Sequence, residues 1–466
     1  MEKIPVIGPT FEEMLHPWKI EETIRRTAWR KRTEDPLHPI NLYNITWRDI
    51  DNHFYFFEVP HELTGIKANI VVMYAKDFPS ASHKVGATYA ILAEKTVTGE
   101  VDPSIHTLVW PSTGNYGIGG AWVGSRMNYD SIVLLPEKMS RERFEIIRSY
   151  GAKAVATPGC ESNVKEIYDK SKELYNSDRE HVRVLNQFEE FGNYRFHWYV
   201  TGNSMIELVR ENKIGNQKIA AVVLGVGSAG TLASADRVKQ EFADCKCVAM
   251  EPVQCPTVSL NGYGEHDIQG IGDKHVTWIH NVMNTDAVVL VDDTDSKKIL
   301  KDFTDESVFP YLVQTAGESN ARMISHNFGI SGVANLIAAI KTARFYNLGE
   351  DENIMIIATD SIGRYRSVMQ EMPAITIESA VRDIERILLK QDTCGVYEGT
   401  RENRMRWHNL KYFTWVEQQN KTVAQLNAQK EQAYWREQQE KTFETDKQIK
   451  EYRKSHEKVL RNIMEY

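Results

Sequence analysis

One stretch limits what this chain can fold into more than any other. The apolar run Ile219-Ala220-Ala221-Val222-Val223-Leu224 leads into Gly225-Val226-Gly227-Ser228-Ala229-Gly230-Thr231, and Leu232 to Phe242 then carries helical spacing. A buried strand, a glycine-rich turn and a helix in that order aim backbone N–H groups and the positive end of a helix at one point, which suits a phosphate. The same pattern also serves as a plain tight crossover, so its meaning depends on what stands elsewhere in the chain.

The surrounding texture is of one kind. Ala68–Tyr74, Ile132–Leu135, Lys153–Ala156, Cys247–Met250, Val288–Val291 and Ile354–Ala358 read as strands. They alternate with the helical segments Val85–Glu94, Arg141–Tyr150 and Val333–Tyr346, the second between Ser140 as N-cap and Gly151 just past its end. Such alternation predicts an α/β fold with parallel sheets covered by helices on both faces. Residues 1–62, aromatic and proline-rich with a helix around Ile20–Lys31, read as an extension rather than a domain. Residues 401–466 form a second extension. From Trp407 it lacks glycine and proline, is rich in glutamine, lysine and glutamate, and carries a narrow apolar stripe that predicts one or two long helices. That stripe is expected to pack against the chain's own body or a partner subunit, with assembly as its expected use.

Composition excludes several classes. At 466 residues, 42% hydrophobic and 26% charged, the chain can bury a large core. A net charge of −8 speaks against a nucleic-acid partner. No apolar run approaches membrane-spanning length, and the N-terminal residues lack a signal-peptide pattern, so a cytoplasmic protein handling small molecules is expected. The five cysteines (160, 245, 247, 255 and 394) read as reduced thiols, and neither they nor the histidines show metal-ligand spacing; no metal is expected.

Four turns that follow strands carry the chemistry. Pro79-Ser80-Ala81-Ser82-His83-Lys84 sets a lysine at a helix start, where the positive helix end favours a neutral, nucleophilic amine. Pro111-Ser112-Thr113-Gly114-Asn115-Tyr116-Gly117 offers hydroxyls and backbone N–H groups to a carboxylate. The glycine loop Gly227–Thr231 is the third, and Thr359-Asp360-Ser361-Ile362-Gly363 is the fourth. Ligands of open α/β sheets bind at the carboxyl ends of strands, where all four turns lie.

In order and flanking sequence these turns resemble the pyridoxal-phosphate enzymes of the cysteine synthase/cystathionine β-synthase family, in the tryptophan-synthase-β superfamily of fold type II. The likeness runs from Leu63-Thr64-Gly65 to Arg366 and includes Leu135-Pro136-Glu137-Lys138-Met139-Ser140 and His266-Asp267-Ile268-Gln269-Gly270-Ile271-Gly272. It implies two parallel-sheet α/β domains of the type II pyridoxal-phosphate fold with helical extensions at both ends. A large cofactor domain (63–117 and 179–400) would enclose a small α/β domain (118–178). By the same likeness Lys84 is the Schiff-base lysine and catalytic base. Gly227, Ser228, Ala229, Gly230 and Thr231 hold the phosphate of pyridoxal 5′-phosphate, Asn115 meets its phenolic oxygen and Ser361 its pyridine nitrogen. Asp360, next in the turn, is expected to point elsewhere. Ser112, Thr113, Gly114, Tyr116 and Gln187 surround the substrate carboxylate.

The chain departs from the family where His83 precedes the lysine and where Tyr116 replaces a threonine. The histidine is expected near the cofactor phosphate, as in the tryptophan-synthase-β branch, and Tyr116 is expected to reshape the pocket. The resemblance implies an enzyme acting on a β-substituted L-alanine by α,β-elimination through an aminoacrylate, most simply cysteine-synthase-like β-replacement. The alternatives are a β-lyase or deaminase (cysteine desulfhydrase or hydroxyamino-acid dehydratase) and a non-catalytic, complex-forming homologue. A homodimer is expected.

Overall fold

The computed structural model describes residues 3–112, 114–159 and 164–465. Thr113 and Cys160, both noted in the sequence, lie outside the described residues. The strands are β1 (Phe56–Val59), β2 (Asn69–Tyr74), β3 (Thr107–Pro111), β4 (Asp130–Pro136), β5 (Lys153–Thr157), β6 (Val182–Val184), β7 (Ile219–Gly225), β8 (Lys246–Pro252), β9 (Ala287–Val291), β10 (Asn353–Ala358) and β11 (Val396–Glu398).

Two sheets result, one in the order β1-β2-β10-β7-β8-β9-β11 and a smaller one in the order β5-β4-β3-β6. The smaller sheet is parallel throughout. In the larger one β2, β10, β7, β8 and β9 run parallel. Only its edges depart from the expected direction: β1 and β11 pair antiparallel with their neighbours. A parallel strand covered on both faces must be apolar along its whole length. β10 shows this, with Ile354, Met355, Ile356, Ile357 and Ala358 each at most 1% exposed. The helix Ile330–Phe345 packs across β10, β7 and β9, and its apolar residues from Ile330 to Ile340 are buried.

The N-terminal extension is tied into this body. Its β1 forms one edge of the large sheet, and the buried Arg48 guanidinium bridges Glu207 and Glu211 at 2.8 and 2.7 Å. The C-terminal extension differs from the expected one or two long helices. Among the described residues it breaks into Arg401–Asn409, a π-turn Phe413–Gln418, Val423–Ala428, Gln432–Ser455 and Glu457–Met464. Polar side chains make the breaks: Asn420 turns left-handed (φ 59°), and Thr422 restarts the helix by a reciprocal cap with Gln425. The two ends of the chain meet, since Asp446 accepts the backbone N–H groups of Phe11 and Glu12 at 2.7 and 3.1 Å.

Candidate active site

Three adjacent strands of the large sheet end at one place. The turn after β2 brings Lys84, the turn after β10 brings Asp360, and the turn after β7 is the glycine loop. The end of β3 in the small sheet brings Asn115 against them across the cleft.

Lys84 is the first residue of the helix Lys84–Val97. The turn before it is strained: Ser80 and Ala81 both have positive φ (63° and 53°), a conformation costing non-glycine residues about 1 kcal/mol or more. The Arg364 guanidinium holds the Ser80 carbonyl and so ties this turn to the one after β10. Lys84 Nζ donates to Ser228 Oγ at 3.2 Å. Burial pushes its pKa down to about 8, while the nearby Asp273 carboxylate pulls the other way. Asp273, which the sequence reading passed over, follows Gly272 and is itself pushed up to about 7 by burial, with Lys84 opposing.

The glycine loop is shaped by what lies over it. A Cβ at Gly227 would sit 2.6 Å from the Gly270 carbonyl, and one at Gly230 would overlap Asn193 Oδ1. Gly272 N–H donates to the Val226 carbonyl at 2.8 Å, and Thr277 Oγ1 donates to the Ser228 carbonyl at 2.8 Å. Ala229 takes a left-handed turn (φ 62°). No partner among the described residues takes the N–H of Gly227, Ser228 or Ala229. Asn193, also missed in the sequence, links Ser228 Oγ and the Gln187 carbonyl through its Nδ2, each at 3.0 Å. Thr231 follows in the short turn Gly230–Leu232.

The loop before Asn115 is held by Ser112. Its Oγ accepts the N–H of Gly114 at 2.8 Å and of Gly117 at 2.7 Å. The N–H groups of Asn115 and Tyr116, at the start of the helix Asn115–Arg126, take no partner among the described residues. A helix start with free N–H groups is an anion site. Gly114 is required by space, because a Cβ there would collide with the buried Arg143 guanidinium.

The region matches the model of the family described as "Pyridoxal-phosphate dependent enzyme" over residues 65–360, more than half of the chain. Cysteine synthase of Staphylococcus aureus (strain Mu50) is 29% identical over 304 residues, covering 64% of this chain and 88% of its own. Among solved structures, a hydrogen sulfide-producing enzyme from Fusobacterium nucleatum superposes with a TM-score of 0.57 at 23% identity, over 66% of this chain and 95% of its own. O-acetyl serine sulfhydrylase isoform 3 from Entamoeba histolytica gives 0.58 at 24% identity, over 72% and 93%. The chain belongs to the pyridoxal-phosphate-dependent enzymes of fold type II.

The residues present fit the family's cofactor. Free N–H groups in a glycine turn suit its phosphate, and Lys84 lies within reach of that turn. Two buried acceptors, Asn115 Oδ1 and Asp360 Oδ1, have no partner among the described residues.

One assignment made from sequence changes at this point. Tyr116 does not face the pocket: it is 1% exposed, its hydroxyl donates to the Leu185 carbonyl at 2.9 Å and its ring stands edge-on to Trp110. It is a packed aromatic under the loop. His83 is fully buried between Trp47 and His197, and burial drives its pKa far down, so it packs as a neutral ring. Its neighbour His197 opens the π-turn His197–Thr201, which packs on the phosphate turn at Gly230–Leu232. Asp360 is fully buried, and its Oδ2 accepts from Asn115 Nδ2 at 2.6 Å and from the Tyr365 hydroxyl at 2.7 Å. Ser361 is half-buried and carries the N-cap of the turn Ile362–Arg364 through its backbone. Gln187 is buried beside Asn193.

Proposed function

We propose that this protein uses pyridoxal 5′-phosphate to act on a β-substituted L-alanine, removing the α-proton and the β-leaving group and then adding a nucleophile at the β-carbon. The observation that carries the reading is the 3.2 Å contact from Lys84 Nζ to Ser228 Oγ, which joins a depressed-pKa amine to a glycine turn with free N–H groups. In this reading the cofactor supplies the electron sink. Lys84, with a pKa near 8, anchors it and then takes the α-proton at Nζ. The N–H groups of Asn115 and Tyr116, backed by Ser112, hold the substrate carboxylate. The likeness to cysteine synthases supports replacement, with sulfide as the simplest nucleophile.

The second reading is β-elimination without replacement, and Asp273 serves the departure of the leaving group that both readings share. A carboxyl pushed up to about 7 beside Lys84 holds a proton near neutral pH and can give it to a departing group.

The test begins with purified protein, pyridoxal phosphate and borohydride, followed by peptide mapping. The label should fall on Lys84, and Lys84→Ala should bind the cofactor without fixation while turnover drops by roughly 10²–10⁴-fold. O-acetyl-L-serine, L-serine and L-cysteine are then supplied with and without sulfide. A new thioether or thiol amino acid supports replacement; pyruvate and ammonia regardless of sulfide support elimination. A protein that takes up no cofactor ends both readings.

A further inference from the structure

We propose that the C-terminal extension completes the cofactor site, with Lys411 as a positioning residue that holds the glycine turn through residues 273–281. The inference rests on the cofactor reading above and deepens it.

Residues 273–281 form neither helix nor strand, so their main-chain groups must find partners elsewhere. Their contacts run two ways. Toward the site, Thr277 Oγ1 donates to the Ser228 carbonyl at 2.8 Å, and Ser228 Oγ accepts from Lys84 Nζ at 3.2 Å. Asp273, whose carboxylate acts on Lys84, opens the segment. Toward the tail, every second carbonyl from Val276 to His280 is taken by a tail side chain. Trp415 Nε1 donates to the Val276 carbonyl at 2.8 Å and Gln429 Nε2 to that of Trp278 at 3.1 Å. Lys411 Nζ donates to the carbonyls of Trp278 and His280 at 3.0 and 2.7 Å. Its third proton goes to Gln429 Oε1 at 2.6 Å, so all three donors of the ammonium are used. A fourth tail residue, Gln432, accepts from Asn281 Nδ2 at 3.1 Å. Asn281 also donates to Asp236, in the helix Ala233–Glu241 that follows the glycine turn.

Covering apolar surface does not call for a lysine here. Lys411 is fully buried, and burial drives its pKa far down. The Trp278 and Trp435 rings flank it, with centroids 5.9 and 5.7 Å from Nζ. A methionine would cover the same rings without the cost of desolvating an ammonium. What the ammonium adds is a tie between two main-chain carbonyls close to Thr277, and Thr277 fixes the Ser228 carbonyl. Lys411 lies beyond residue 360, where the match to the family model ends, so the tie belongs to this chain's own extension.

The test uses the full-length protein and the dissociation constant of pyridoxal phosphate, measured by titration. Lys411→Met keeps the stem and removes the donors; it should weaken binding by about fivefold or more, as loss of a partner to buried polar groups does. Thr277→Val should weaken it comparably. The double variant should bind no more weakly than the worse single variant, because both act through one segment. Leu460→Ala is the control, since its helix Glu457–Met464 packs on the turn Pro39–Asn44. Its Tm should fall while its affinity stays unchanged. An unchanged affinity in Lys411→Met overturns the proposal and leaves the cofactor reading standing, because the unaltered protein still binds. So do penalties that multiply in the double variant, or a loss in Leu460→Ala equal to that in Lys411→Met; either marks a merely structural tail. If Lys411→Met does not fold, Trp415→Phe, which removes the indole N–H from Val276, replaces it in the same comparisons. A protein that takes up no cofactor overturns the reading and the proposal together.

Discussion

At the scale of single residues, chemistry and packing are told apart by where a side chain spends its polar atoms. Tyr116 and Asn115 are neighbours on one helix turn, yet the tyrosine donates to a main-chain carbonyl while the asparagine keeps Oδ1 free. Tyr116→Phe should therefore cost about 1 kcal/mol of stability, the worth of one buried hydrogen bond, and leave the ranking of amino-acid substrates unchanged. Urea unfolding beside a substrate panel measures both. A changed ranking would restore Tyr116 to the pocket. Lys84, Asn115 and the glycine loop were legible through the order and flanking sequence they share with the pyridoxal-phosphate family, since glycine and asparagine by themselves are common in turns. Asn193 and Asp273 carried no such signal, since a lone polar residue between helical or loop segments reads the same whether it faces solvent or a buried cleft.

At the scale of elements, the strand–turn–helix order was readable and its geometry was not. Gly225 to Thr231 announces a phosphate turn, but only the folded chain shows Gly270 and Asn193 pressed against it. Gly230→Ala should push Asn193 off Ser228 and weaken cofactor binding by about tenfold or more, on the order of 1.4 kcal/mol. Far-UV circular dichroism should stay unchanged, because the substituted turn is short and surrounds no core strand. Titration with pyridoxal phosphate checks it, and an unaltered affinity would mean the loop gives way freely. The C-terminal extension shows the opposite failure. Absence of glycine and proline suggested long helices, but Asn420 and Thr422 break the run by local backbone and cap geometry that composition does not register.

At the scale of the whole molecule, most of the tail's apolar stripe packs within its own chain, with Val423 and Phe443 left about half exposed. Trp415 and Leu426 pack on Tyr168, Phe188 and Trp278, while Trp435 packs on Tyr194, Trp198 and Ile279. Lys411 Nζ donates to the carbonyls of Trp278 and His280 at 3.0 and 2.7 Å. Deleting residues 401–466 should thus uncover apolar surface behind the Gln187 and Thr277 segments and cause aggregation or a lower Tm. A truncated protein that stays soluble at an unchanged Tm would contradict this. We propose a homodimer; light scattering of the full chain tests it.

Titration gives a second whole-molecule prediction. Burial raises Glu190, Glu251 and Asp273 to about 7, so between their unfolded values and 7 the folded state binds more protons, and its stability falls as pH rises through that range. His275 is lowered to about 4 and His280 and His408 to about 3, with His83 and His197 also far down. For these the unfolded state binds more protons below about 6.5, so stability falls again on acidification. Asp273→Asn removes one of these carboxyl proton sites, so its Tm should gain on that of the unaltered cofactor-free protein as pH rises from 5 to 7. A Tm difference between the two that stays constant over that range would refute this account.

The sequence by itself determined the layered α/β class, the succession of strands and helices, and the four turns that carry the site, because periodicity, glycine placement and strand ends are local properties. Tertiary structure decided which of Asp360 and Ser361 meets Asn115, that Tyr116 belongs to the core, and that the tail covers its own subunit. In an extended turn, adjacent side chains diverge, and which of them enters a cleft depends on strands brought together from residues hundreds of positions apart. The order β2-β10-β7 makes that choice, and no local pattern records it.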